Sequence, residues 1–284
     1  MKLILLGTGS PIVDSERQGP STLLEINGEY FLFDTGRGVT TQINKAGINL
    51  NDIGLIFITH HHVDHISDLG DLLLAIWKSG RIQKIQIYGP KGTSKIILSL
   101  LNDVFGRDIE FTIAMEKNFG NQISDIRELV EIIEIKDKLV FNNSHVKITA
   151  EQVEHGQLYL GLSHENWPSL GYRIEMFEKI IVISGDTIIC DGLRQLTKNA
   201  NILVQCCFLT RKELDSEERK LLSRHIIASS IDLGQFATQQ KIDTLILTHL
   251  RKKTFEMTEN MKSEVKNQFD GNLIMGHDLF TLDI

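Results

Sequence analysis

The chain predicts an α/β fold of two packed mixed β-sheets with helices on their outer faces. Two observations carry this: hairpin-like strand pairs come first, and strand–helix alternation follows. A third narrows it, because the only glycine-rich turn near the start, Gly7-Thr8-Gly9-Ser10-Pro11, lacks the full GxGxxG spacing of a dinucleotide fold. A doubly wound parallel sheet therefore fits less well.

The early elements read as strands. Lys2–Leu6 is apolar and stops at Gly7, and Ser21–Ile26 and Tyr30–Asp34 flank Asn27-Gly28, a pair that tolerates the positive φ of a tight hairpin. Further short runs rich in β-branched residues follow at Ile53–Thr59, Ile85–Tyr88, Lys147–Val153, Ile180–Ser184, Ile202–Gln205 and Thr244–Thr248. Helices are expected at Ile66–Trp77, Gly92–Phe105, Asp191–Lys198, Ser216–Arg224, Ala228–Gln240 and Glu256–Lys266. No linker, low-complexity tract or short repeat interrupts the chain, so 1–284 is expected to form a single domain.

Composition bounds the function. With 42% apolar and 24% charged residues the chain can bury a sizeable core, which argues against long disorder. A net charge of −7 argues against a general nucleic-acid coat protein, although short basic runs at Arg211-Lys212, Arg219-Lys220 and Arg251-Lys252-Lys253 remain as local patches. Three cysteines, Cys190, Cys206 and Cys207, form neither a disulfide framework nor a cysteine zinc site. The apolar run after Lys2 is too short for a signal-peptide core and no later stretch spans a bilayer, so the expected location is the cytoplasm, with no membrane partner.

Residues 59–65, Thr-His-His-His-Val-Asp-His, are the most informative stretch. Four histidines and an aspartate directly after an apolar strand make poor core, and burying them without a cation leaves several rings in need of partners. Imidazole and carboxylate are the ligands that a borderline divalent metal prefers. His60 and His62 alternate past the strand end and project to the same side. Asp64 and His65 lie where the next helix starts and point to a neighbouring position, which suggests two metals, while His61 faces away. A histidine-rich surface loop is the bland alternative on spacing alone.

The HxHxDH run at His60, His62, Asp64 and His65 resembles the signature of the metallo-β-lactamase superfamily, ribonuclease Z and arylsulfatase-like branch. The other elements appear in family order: Leu6–Pro11, the aspartate motif Phe33–Gly38, Tyr88-Gly89-Pro90, Val153-Glu154-His155-Gly156, Gly171-Tyr172-Arg173, Ser184-Gly185-Asp186-Thr187 and Leu247-Thr248-His249-Leu250. The resemblance implies a metallo-β-lactamase αβ/βα sandwich. It implies His60, His62 and His155 on one metal and Asp64, His65 and His249 on a second, with Asp186 bridging. Asp34 would accept an imidazole N–H and fix a ligand tautomer. The implied cofactors are two divalent ions, Zn²⁺ first and Mn²⁺ as the alternative.

The implied reaction is hydrolysis of an anionic ester by metal-activated hydroxide, with Asp64 as a catalytic residue orienting or deprotonating the nucleophile. His225 resembles the branch's non-ligand histidine and would act on the developing oxyanion or leaving group. Arg37, Tyr159 and Trp167 are the expected substrate contacts, and a homodimer is the assembly that the branch commonly forms. Two departures bear on substrate. Where ribonuclease Z carries a glutamate, Leu203-Val204-Gln205-Cys206-Cys207-Phe208 places Cys206, and only ten residues separate Arg173 from Ser184, where the bacterial enzyme inserts its transfer-RNA-clasping arm. The expected function is a ribonuclease Z-like phosphodiesterase lacking that arm, acting on a small anionic ester or a flexible nucleic acid. The alternatives are an arylsulfatase-like sulfuric ester hydrolase, a lactonase and a non-enzymatic metal-binding scaffold.

Overall fold

The structure is a computed structural model that describes residues 1–136 and 138–284. Its strands are β1 (Lys2–Gly7), β2 (Ser21–Ile26), β3 (Glu29–Phe33), β4 (Ile53–Phe57), β5 (Ile85–Gly89), β6 (Val130–Glu134) and β7 (Leu139–Asn142). The remainder are β8 (Val146–Gln152), β9 (Leu170–Met176), β10 (Lys179–Ile183), β11 (Ile202–Cys206), β12 (Thr244–Thr248), β13 (Asn272–Met275) and β14 (Phe280–Asp283). They form the two mixed sheets that the alternation of hairpins and strand–helix units predicts. The chain divides into two compact units, one of Met1–Gly7, Gln18–Lys136 and Asp278–Ile284, the other of Thr8–Arg17 and Asp137–His277.

The first unit holds the sheet β14-β1-β2-β3-β4-β5-β6, antiparallel as far as β3 and parallel beyond it. Asn27 and Gly28 both take positive φ in the β2–β3 turn, as the pair predicts. Alternate strand residues (Ile4, Leu6, Leu23, Leu32, Ile56) share a core with Val39 and Ile43 of one helix and Leu72, Leu73, Ile76 and Trp77 of another. Burying side chains of this size contributes roughly 1.5–3 kcal/mol each. Phe31, Phe33, Phe57 and Tyr88 make a separate ladder of stacked rings at 4.9–6.4 Å.

One expected helix here is two. Ile66–Trp77 resolves into Val63–Ile66 and Leu69–Lys78, because Asp68 turns at the break to bind the loop after β3. Its N–H donates to the Thr35 carbonyl and its carboxylate accepts the Gly38 N–H at 2.7 Å. Gly92–Phe105 is helical as expected, an α-helix over Thr93–Ser99 that continues as a π-helical turn over Leu100–Val104, and a further helix, Gly106–Asn118, follows. That helix and the short one at Val39–Lys45 went unpredicted because few of their residues are buried, which leaves a faint apolar stripe.

The second unit holds the sheet β13-β12-β11-β10-β9-β8-β7, antiparallel from β7 to β10 and parallel from there to β13. Its core joins Val182, Leu203, Leu245 and Leu247 of the strands to Leu193, Leu196, Leu233 and Phe236 of the helices Asp191–Leu196 and Ser230–Gln239. Met176 pairs with Lys179, so β9 and β10 are joined by the two-residue turn Phe177-Glu178. The short strands β7, β13 and β14, only four residues each and half-exposed, carry too little alternation to be read from sequence. No helix among the described residues is long and apolar enough to cross a membrane.

Candidate metal centre

In the first unit the donors gather where β4 ends. Ile58 extends the pairing by donating its N–H to the Tyr88 carbonyl, and the chain then leaves the sheet through Thr59 and His60, both buried. Asp34 sits just past β3 with φ 58, a left-handed conformation that aspartate adopts more readily than most residues. There one carboxylate oxygen accepts the Thr59 N–H at 2.8 Å, while the other accepts the Thr59 hydroxyl at 2.8 Å and the His65 Nδ1–H at 2.7 Å. The Thr59 oxygen in turn accepts from His60 Nδ1 at 2.9 Å. A single buried carboxylate therefore orients two imidazoles, one directly and one through a hydroxyl.

With Nδ1 of His60 and His65 committed to these acceptors, Nε2 is the donor atom that each ring offers a cation. His60 Nε2 faces His62 Nδ1 at 2.9 Å, and the His60 and His65 rings lie 4.2 Å apart. Asp64 is buried with Oδ2 3.7 Å from His65 Nε2. His61 turns the other way, its Nε2 bonded to Thr93 Oγ1 at 2.8 Å, and burial pushes its pKa down. Gly36 lets the loop after β3 close on this run, since a Cβ there would meet the Asp64 carbonyl oxygen at 2.5 Å.

The second unit supplies its donors from three separate strand ends. His155 follows β8, its Nδ1–H donated to the Ile226 carbonyl at 2.7 Å, which again leaves Nε2 as donor. Asp186 follows β10 after Gly185, whose φ is 60, and places Oδ2 3.7 Å from His155 Nε2 and 3.2 Å from His249 Nε2. His249 follows β12 with φ 59, and the next residue is pinned by the Leu250 N–H to the Thr8 carbonyl at 2.7 Å. The Leu6–Pro11 motif thus anchors the strand end that carries His249.

Other expected residues are placed as follows. Arg37 is half-buried in the loop after β3, its carbonyl accepting the Gly19 N–H. Tyr159 lies flat on His225, ring centroids 4.4 Å apart at 10°. Trp167 is tethered through its carbonyl to Gln157 Nε2. Cys206 packs with Phe208, Leu209 and Ile227 in a buried apolar cluster. Cys207 is fully buried, and burial raises its thiol pKa to about 12, which makes it an inert core thiol.

Sequence reasoning missed several residues. Buried Gln157 accepts the His155 N–H and donates to the Trp167 carbonyl and the Ser169 hydroxyl, tying the whole His155 loop together. Thr59, the relay to His60, and the Lys253–Glu213 pair, whose Lys253 side chain is only 4% exposed, were also unmarked. A lone glutamine or threonine beside a histidine carries no spacing signal that could have revealed it.

The family model described as the anti-Pycsar protein Apyc1 matches residues 1–225. Ribonuclease Z of Mycolicibacterium gilvum (strain PYR-GCK) is 32% identical over 292 residues, spanning 100% of this chain and 96% of that protein. The chain belongs to the Apyc1 family and to the ribonuclease Z branch of the metallo-β-lactamase superfamily. Two solved structures share the fold. YhfI from Bacillus subtilis aligns with a TM-score of 0.75 at 17% identity, covering 99% of this chain and 98% of its own. Human tRNase Z, short form, aligns with a TM-score of 0.72 at 22% identity, covering 100% and 99%. This Apyc1-family chain is accordingly a metal-dependent hydrolase of ester bonds with the metallo-β-lactamase fold.

Proposed function

We propose that the Apyc1-family chain is a dinuclear phosphodiesterase acting on a small or flexible anionic substrate. In this reading His60, His62 and His155 would hold one divalent ion and Asp64, His65 and His249 the other, with Asp186 available to both. The observation that carries it is the matched tautomer of His60, His65 and His155, each of which commits Nδ1–H to an oxygen and keeps Nε2 for a cation. Buried imidazoles and carboxylates are the donor chemistry of Zn²⁺, with Mn²⁺ the alternative. When bound, such ions supply Lewis acidity and lower the pKa of water.

The chain's own residues do the rest. Asp64 orients the attacking water and takes its proton. Asp34 and Thr59 keep the rings from rotating. His225, braced flat by Tyr159, delivers a proton to the leaving group, while Arg37, Tyr159 and Trp167 contact the substrate. Since Cys206 brings no carboxylate to the strand end, His225 acts there without an acidic partner from that position. With only two carboxylates among the seven donors, a pair of divalent cations leaves a positive field that favours anionic esters over neutral ones. The two-residue turn at Phe177-Glu178 supports the reading that the chain lacks the branch's clasping arm and acts on small substrates rather than folded RNA.

Metal analysis of the purified protein is expected to return about two equivalents. Bis(p-nitrophenyl) phosphate, p-nitrophenyl sulfate and an aryl lactone, assayed side by side with Zn²⁺ and Mn²⁺, should give turnover of the phosphodiester alone. Faster sulfate or lactone hydrolysis, or full activity without metal, would overturn the reading.

A further inference from the structure

Beside His249 lies a second cluster that plays no part in holding a metal. Arg17, Arg251, Lys252 and Lys253 are among the residues that line a cavity of about 240 Å³, with Leu250 and Thr258, and none of the seven donors is among its lining residues. Three of these four cations are otherwise engaged or solvated. Lys253 Nζ is bonded to Glu213 at 2.6 Å and to the Phe208 carbonyl at 2.7 Å. Arg17 donates to Thr8 Oγ1 at 2.6 Å and to the Gly276 carbonyl at 2.8 Å. Lys252 is exposed.

Arg251 differs. Its guanidinium carbon sits 3.9 Å from the centroid of the Phe208 ring, and its Nε is buried with no hydrogen-bond acceptor among the described residues. The same Phe208 ring lies 6.0 Å from the ring of His249. Stacking on an aromatic face orders the planar fork, so less freedom is lost when it binds an anion. A guanidinium fixed in this way, with a donor still open, matches the two-pronged recognition of phosphate or carboxylate oxygens. Asp14 and Glu16 also line the cavity, but with Lys253 paired to Glu213 the three cations Arg17, Arg251 and Lys252 still outnumber them.

We propose that Arg251, laid flat on Phe208 beside His249, forms an anion subsite that binds a second negatively charged group of the substrate, apart from the ester being cleaved. The proposal rests on the phosphodiesterase reading above and adds a substrate class to it: phosphodiesters that carry a further phosphate. It makes Arg251 a specificity-determining residue.

The test compares ligands that differ by one phosphate, in binding and in turnover. Calorimetry on the metal-loaded protein with thymidine 3′,5′-bisphosphate and thymidine 5′-phosphate should show the bisphosphate bound about 10- to 100-fold more tightly. Arg251→Gln should erase that preference and leave the monophosphate affinity unchanged, and Arg251→Lys, which keeps a charge in the cavity, should retain part of it. In parallel, the 5′-(p-nitrophenyl) ester of thymidine 5′-phosphate, with and without a 3′-phosphate, should show a KM advantage for the bisphosphorylated form that vanishes in Arg251→Gln. No bisphosphate preference in the native protein, or equal weakening of both ligands by Arg251→Gln, overturns the subsite. Absence of turnover with the binding preference intact sinks the phosphodiesterase reading while leaving the anion subsite standing.

Discussion

In the first unit three antiparallel pairings give way to three parallel ones at β3, and in the second unit the same change falls at β10. Each of these switch strands is followed at its carboxyl end by a buried aspartate, Asp34 after β3 and Asp186 after β10. Open α/β sheets place ligands at such points because neighbouring loops diverge there and leave a crevice. The two aspartates nevertheless do different work. Asp34 touches the Nδ1 side of a ring and sets its tautomer, whereas Asp186 faces Nε2 atoms and is itself a candidate donor. The first unit then delivers its donors from one continuous run, and the second from three loops far apart in sequence. Equivalent sheet wiring thus supports two ways of gathering candidate donors, one compact and one dispersed.

If the dispersed half depends on Asp186, Asp186→Ala should be the most damaging change. Losing several kcal/mol of metal-assisted stabilisation corresponds to a rate loss of roughly 10³-fold. Elemental analysis should find most of the metal gone, and retention of both equivalents would break the comparison. Next comes the buried Lys253–Glu213 pair of the second unit. Removing one partner with Glu213→Ala should destabilise the protein by about 3–5 kcal/mol, read from urea unfolding, because Lys253 is left as a buried lone charge. An unchanged midpoint would show the pair to be dispensable.

Asp34→Asn sharpens the contrast between the two aspartates. An amide accepts less strongly from His65 and disturbs the Thr59 relay, so metal affinity or activity should fall by about 10- to 100-fold while the fold persists. A loss as deep as that of Asp186→Ala would mean that Asp34 is more than an orienting group. The smallest effect concerns Glu134, which accepts the N–H groups of Gly92 and Ser94 at the start of a helix. Burial works to raise its pKa, but the hydrogen bonds from Ser94 and Gly92 outweigh it and hold the carboxyl below the usual 4.5. A depressed folded-state pKa contributes stability above the unfolded value, and that contribution is lost as pH falls through the folded one. Glu134→Gln should therefore cost only about 0.5 kcal/mol at neutral pH, with the gap to the native protein closing in acid unfolding curves.

What could be read from the sequence follows the same division. The first unit's donors were legible from the residues alone, because four histidines and an aspartate crowded into one short segment defy any ordinary packing role. His155, Asp186 and His249 were not. Each is a lone polar residue at a strand end, and only the order of the family motifs singled them out. Nine of the described strands were read from sequence, whereas β7, β13 and β14 are too short to show a period, and β6 and the longer, alternating β9 were also missed. Gln157 and Arg251 lay beyond reach for another reason. Their importance comes from what they touch, a backbone N–H two residues back and a ring more than forty positions away in the chain, and neither relation leaves a local pattern.

The hairpin joining β9 to β10 has a practical consequence. Its tip, with Phe177 66% exposed, is held by strand pairing on both sides and lies between residues that the donors do not use. A peptide tag or a small binding module spliced between Phe177 and Glu178 should ride as a passenger, since the ladder on either side needs nothing from the tip itself. The same opening offers a route to retarget the enzyme, by grafting on an arm that carries a chosen partner.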